Sequence, residues 1–213
     1  MNRHEAKTLV NNNQLSIGSW ITIGHPAIPE ILSNAGFDWL VIDLEHTTID
    51  LSMAQILIST IQSKNMLALV RVSKNEEVII KRVLDAGADG IVVPMVKNAV
   101  DAQRAVNYSM YPPIGTRGVG LARAQNYGYG FSKYQEKVNE TIIIAQIEHV
   151  DAINELDSIL KVDGIAGTII GPYDLSGSLG LPGDFDNESV KNLLDEYKRV
   201  SIEMDKLMGF HVV

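Results

Sequence analysis

Short apolar runs rich in β-branched residues alternate along this chain with stretches whose apolar residues recur at helical spacing. The runs are SIGSWITI (16–23), DWLVIDLE (38–45), MLALVRV (66–72), GIVVPMV (90–96), TIIIAQIE (141–148), GIAGTIIG (164–171) and MGFHVV (208–213). Between them lie segments such as EEVIIKRVLDAG, where Val78, Ile79, Arg82 and Val83 mix apolar and polar positions at the period of a helix. This alternation predicts repeated βαβ units on a parallel sheet. Near-continuous apolar strands further predict burial on both faces.

The position of the polar residues selects among parallel folds. A barrel gathers chemistry from the C-terminal ends of many strands, whereas a doubly wound sheet concentrates it at one switch point. Here Asp43, Glu45 and His46 close the second run, Arg71 the third, Gln146 and Glu148 the fifth, and Asp174 follows the sixth within three residues. The expected fold is therefore α/β, a (β/α)8 TIM barrel forming a single domain over residues 1–213. Closure takes eight strands, and barrels typically run to about 250 residues. With the last run ending at Val213, the expectation is a barrel truncated after the seventh strand and lacking its last β/α unit. One further irregularity is the segment from 111 to 140, rich in Gly, Tyr and Arg, which reads as a long functional loop before the fifth strand.

Composition narrows the function. A net charge of −8 with a pI near 5.1 lacks the basic stripe of a nucleic-acid binder. The absence of cysteine removes disulfides, thiolate metal sites and a cysteine nucleophile. The N-terminal MNRHEAKTLVNNNQ has no apolar core of a signal peptide, and no run reaches membrane-span length, so a cytoplasmic protein is expected.

Glu148 and Asp174 end adjacent strands and can converge above a barrel mouth. Two carboxylates make a hard, open oxygen site suited to Mg²⁺ or Mn²⁺. Alternatively Asp174, in GPYDLS, caps a following helix, and Glu148 pairs with a basic neighbour. Arg71 ends an apolar strand, where a charge needs an anionic partner. That partner is either a substrate carboxylate or enolate oxygen held by the guanidinium fork, or Asp43 or Glu45 on the neighbouring strand. His46 stands at the rim, where an imidazole suits general base chemistry, although a lone histidine is commonly structural. His4, His25, His149 and His211 have no comparable setting. The GTRGVG stretch has the wrong spacing for a dinucleotide fingerprint. Its glycines read either as backbone amides for an anion or as a mobile loop.

Taken together, residues 16–182 resemble the HpcH/HpaI class II aldolases, which include 4-hydroxy-2-oxoheptanedioate and 2-keto-3-deoxy sugar-acid aldolases. The likeness is carried by Gly18-Ser19-Trp20, GFDWLVIDLEH, LVRV, VLDAGADGIVVPMV, YPPIGTRGVG, AQIE and IIGPYDLSGSLG in that order. It implies a divalent ion (Mg²⁺, Mn²⁺ or Co²⁺) on Glu148 and Asp174, with Arg71 at the substrate keto or enolate oxygen. It also implies His46 as acid/base, Asp43 and Asp85 as acidic supports of the histidine, and Gln146 beside the metal. Trp20, Gly171, Pro172 and Tyr173 fall on the substrate side, and Tyr173 replaces a small residue of many relatives, which predicts a narrower or more polar aldehyde pocket. The reaction implied is cleavage of a 4-hydroxy-2-oxo acid to pyruvate and an aldehyde. The ion and Arg71 stabilise the enolate, and no Schiff-base lysine takes part. The partners implied are a small keto acid, an aldehyde, and further copies of the chain in a dimer-based homo-oligomer, a hexamer included.

Barrel geometry adds a condition. A helix after Arg71 would carry Asp85 roughly 20 Å from the rim at 1.5 Å per residue. Asp85 could then meet His46 only across a subunit interface; otherwise it simply faces solvent beside the Gly87 helix stop. Two rival readings keep the fold: a citrate-lyase-like or phosphoenolpyruvate-mutase-like metal-enolate lyase, and a catalytically silent barrel subunit.

Overall fold

Every predicted run forms a strand in the computed structural model, which describes residues 3–212. The strands are β1 (Gly18–Ile21), β2 (Trp39–Asp43), β3 (Leu67–Arg71), β4 (Gly90–Val93), β5 (Ile142–Ile147), β6 (Gly167–Ile170) and β7 (Leu207–Phe210). All neighbours pair in parallel, in the order β1-β2-β3-β4-β5-β6-β7. The seven described strands thus follow barrel order, with closure requiring an eighth.

The helices are α1 (Arg3–Asn11), α2 (Ala27–Leu32), α3 (Leu51–Ser63), α4 (Glu77–Asp85), α5 (Ala99–Ser109), α6 (Phe131–Lys137), α7 (Val150–Asn154), α8 (Leu156–Leu160), α9 (Pro172–Ser178) and α10 (Glu188–Glu203). Several start where a side chain satisfies a free backbone amide: Asp50 accepts from Met53 N at 2.8 Å to open α3, and Asn98 accepts from Asp101 N at 3.0 Å to open α5. Among the described residues no helix is long and apolar enough to cross a membrane.

Strand side chains alternate between two apolar layers, as a period of two requires. Leu40, Ile42, Ala68, Val70, Ile91, Val93, Ile143, Ala145, Ile147 and Ile170 face the helices. Val41, Leu67, Leu69, Val92, Ile142 and Ile169 face the barrel interior, where Ala6 and Val10 of α1 pack against them. Burying each large aliphatic side chain stabilises the fold by roughly 1.5–3 kcal/mol. The inward parity, followed to the C-terminal ends, carries Asp43, Arg71, Gln146 and Glu148 to the mouth.

The segment from 111 to 140 is more ordered than a loop. It holds a 3₁₀ stretch (Arg123–Gly128), α6 and a second 3₁₀ turn (Val138–Glu140). Its anchor is Arg117, fully buried, which donates to Asp85 Oδ1 at 2.6 Å and Tyr134 Oη at 3.0 Å and lies 4.9 Å from the ring centre of Tyr111. A buried guanidinium is stable only when so partnered, and here the partners tie the segment to the end of α4 and to α5. The expectation of a mobile or anion-binding GTRGVG loop gives way, at Arg117, to a structural tether.

Candidate active site

Asp43 and Arg71 are direct register partners on β2 and β3. Arg71 grips the carboxylate with both arms of its fork, Nε to Oδ1 at 2.9 Å and Nη2 to Oδ2 at 2.7 Å. Burial alone would raise the Asp43 carboxyl, but hydrogen bonds from Arg71 and from the backbone amides of Glu45 and His46 hold it below the ordinary carboxylate value. Those two amides, at 3.0 and 3.3 Å from Oδ1, also fix the turn that leaves β2. The structural alternative for Arg71, a pair with Asp43, is therefore present. It does not exhaust a group with five N–H donors. On its other side the guanidinium stacks on Trp20, 4.6 Å from the ring centre.

Glu148 is buried and held at both oxygens: Gln146 Nε2 donates to Oε1 at 2.6 Å and the Met95 amide donates to Oε2 at 2.9 Å. That amide is aimed by an unusual backbone, since Met95 adopts a positive φ of 54°. A non-glycine residue there is strained. Gly171 passes so close that a methyl group in its place would lie 2.9 Å from Glu148 Cγ. Burial, together with the charges of nearby Glu45 and Asp174, pushes the Glu148 carboxyl above its ordinary value. Asp174 is the third residue of α9, exposed, in a helix whose N-cap is Gly171 and which has no side-chain cap. The capping alternative for Asp174 is thus not what its side chain does.

These residues fit a hard divalent cation. Glu148 and Asp174 offer oxygen only, burial and the charges of Glu45 and Asp174 raise the Glu148 carboxyl despite the nearby Arg71, and Gln146 Oε1 is buried with no hydrogen-bond partner. Among the described residues no group of three or more His, Cys, Asp or Glu could enclose a metal.

His46 stands at the rim with its side chain 64% exposed. Asp85 is not brought to it. α4 spans Glu77–Asp85, about 13 Å of helix rather than 20, and Asp85 at its end is bound to Arg117. Nor does Asp85 merely face solvent, its side chain being 19% exposed. Pro172 starts α9, and Tyr173 is exposed with an edge-on contact to Phe185 at 5.0 Å.

Two residues at the mouth were not singled out from sequence, and a third, Glu45, was read there only as a strand-end carboxylate and possible partner of Arg71, an ion pair found at 3.4 Å. Glu45 continues the inward parity of Asp43, a signal available in the run itself. His211, set aside above, shares the parity of Leu207 and packs against Trp20 at 5.3 Å between ring centres. Met95 had no sequence signal, because nothing in PMVKN announces a left-handed residue.

Fold and mouth together define a parallel α/β-barrel enzyme with a carboxylate and arginine centre at its strand ends. The comparisons assign it: the model of the HpcH/HpaI aldolase/citrate lyase family matches residues 16–209, and the chain belongs to that family. It is 38% identical to the hydroxypyruvate/pyruvate aldolase of Roseobacter denitrificans over 198 residues, 92% of this chain and 77% of the relative. Among solved structures, it superposes with a TM-score of 0.92 on an HpcH/HpaI aldolase/citrate lyase family protein from Burkholderia cenocepacia, at 28% identity over 97% of this chain and 83% of the other. The citrate synthase SbnG gives a TM-score of 0.86 at 29% identity over 97% of this chain and 81% of the other. The fold is thus the TIM-barrel type expected, and the enzyme is of aldolase, carbon-carbon lyase, kinship.

Proposed function

We propose that the chain is a divalent-metal-dependent pyruvate aldolase, cleaving 4-hydroxy-2-oxo acids to pyruvate and an aldehyde. The carrying observation is Glu148: fixed at both oxygens, its carboxyl raised by burial and by neighbouring carboxylates, and beside Asp174 and Arg71 at one barrel mouth. Glu148 and Asp174 would hold the ion, with Gln146 orienting Glu148. When bound, Mg²⁺, Mn²⁺ or Co²⁺ supplies Lewis-acid charge for a developing enolate oxygen.

The protein's own part follows from its side chains. Arg71, held rigid by Asp43 and Trp20, donates its remaining N–H groups to the keto or enolate oxygen. His46 takes the C4 hydroxyl proton in cleavage and returns it in condensation. Gly171, Pro172 and Tyr173 line the substrate side. None of the seven described strands carries a lysine, which supports metal chemistry over a Schiff base. Asp85 is proposed to serve the acid–base end of a neighbouring subunit's site in a dimer-based homo-oligomer, and residues 1–213 to belong to one barrel domain.

The test is pyruvate release from a series of 4-hydroxy-2-oxo acids, with and without each of the three metals. Metal-stimulated release from at least one is expected, and none from any would overturn the proposal. The likeness to the citrate synthase SbnG favours a second reading, citrate-lyase-like metal-enolate chemistry. Acyl-CoA dependence, with free aldehydes inert, would select it.

A further inference from the structure

The residues of the mouth follow their strands, whereas a second set of polar residues precedes them. On the face opposite the mouth, where β4 and β5 begin, a cavity of about 730 Å³ opens between α1, the turn from α4 to β4 and the segment 123–141. That volume suits a small molecule. The carboxylates among its described lining residues are committed to the protein: Asp89 accepts from the Ala68 amide at 2.9 Å and from Gln62 Nε2 at 3.1 Å, and Glu140 accepts from Lys7 Nζ at 3.0 Å. The wall from Arg123 to Lys137 has the opposite character. Arg123 is fixed there by donating to Ala86 O at 3.1 Å and to Gln62 Oε1 at 2.9 Å. Lys137 is exposed and makes no ion pair among the described residues. Tyr134 Oη accepts from Arg117 at 3.0 Å, which leaves its own O–H to donate.

The backbone adds an aromatic ring to this wall. Asn126 and Tyr127 lie one after the other in the left-handed region, at φ 50° and 54°, a conformation costly to residues other than glycine. Buried Gln125 holds the turn, its Oε1 accepting from the Ala122 amide at 2.9 Å and its Nε2 donating to Tyr111 Oη at 2.6 Å. The outcome is a tyrosine that lines the cavity while 65% exposed, so packing of the ring does not offset the strain. We propose that the cavity is a second binding site, separate from the mouth, for a small phosphate monoester carrying a planar ring, the chemistry of a nucleoside monophosphate. Arg123 and Lys137 take the phosphate oxygens, one as a fork and the other as a point charge. Tyr134 adds a hydroxyl donor, and Tyr127 stacks on the ring.

The test is calorimetry on the full chain with adenosine monophosphate and with inorganic phosphate, in the presence of a chelator so that no cation at the mouth recruits either probe. Saturable binding of both is expected, the nucleotide tighter by about tenfold, in line with one stacked base. Tyr127→Ala should bring the nucleotide down to the affinity of phosphate, and Tyr127→Phe should keep the difference. Lys137→Ala should weaken both probes about three- to fivefold, the scale of an exposed charge pair. Asp174→Asn, at the mouth, should leave both unchanged. Tyr127 and Lys137 are exposed, so their variants are expected to fold, and circular dichroism checks this. No saturable binding, equal affinity for the two probes, or indifference to Tyr127→Ala and Lys137→Ala would overturn the proposal, as would loss of binding in Asp174→Asn.

Discussion

Arg71 is structural in the described chain and chemical in the proposed reaction. Its fork is matched to Asp43 through two parallel bonds, and its plane lies against Trp20. A lysine can reproduce neither feature. Arg71→Lys is expected to bind Mn²⁺ with unchanged affinity by calorimetry yet lose about 100-fold or more in turnover, in line with loss of an oxyanion donor. Unchanged kinetics would assign Arg71 to the fold alone. The carboxylates behave oppositely. Glu148→Gln and Asp174→Asn should each weaken cation binding and remove most activity while circular dichroism stays as in the parent, and full activity in the chelator-treated double variant would refute the assignment. At this scale the sequence was informative wherever inward parity at a strand end exposed a polar group, as at Asp43, Arg71, Gln146 and Glu148. It was silent on Met95, whose role depends on a backbone angle that its side chain does not encode.

Among the elements, strands were legible because apolar β-branched runs admit few alternatives, and all seven fall where alternation put them. The segment from 111 to 140 was not. Its glycines and tyrosines read as a loop, whereas its order comes from one long-range ion pair, Arg117 with Asp85, across 32 positions of sequence. Local pattern cannot announce such a partner. The same pair corrected the picture of α4, whose end is tied down rather than solvated. Arg117→Met is expected to destabilise the protein by about 3 kcal/mol or more, because Asp85 would lose its compensating charge in a partly buried setting. Urea unfolding measures this directly, and a change below about 0.5 kcal/mol, the range of neutral surface substitutions, would contradict it.

For the whole molecule, the first question is whether sites are shared between copies. The described chain leaves Asp85 bound to Arg117 and His46 beside Glu45. Mixed oligomers of His46→Ala and Asp85→Ala subunits should regain activity if Asp85 serves a neighbour's site. No recovery in verified hetero-oligomers would reject the shared site.

The strand order has a consequence for dynamics. Each described strand bonds only to its neighbours in sequence, so among the described residues cooperativity is transmitted stepwise along the sheet. Opening should then begin at the flanks. β2 through β6 consist almost wholly of buried residues, whereas β7 is half-buried to exposed along its length. Native-state hydrogen exchange should therefore grade across the sheet, with β3, β4 and β5 amides exchanging only through global unfolding and β7 amides through cheaper local opening. Uniform protection from β1 to β7 would mean that the sheet opens as one unit. In the graded case the candidate centre, mounted on β2, β3 and β5, sits on the slowest-exchanging staves while the flank beside Trp20 and His211 breathes around it.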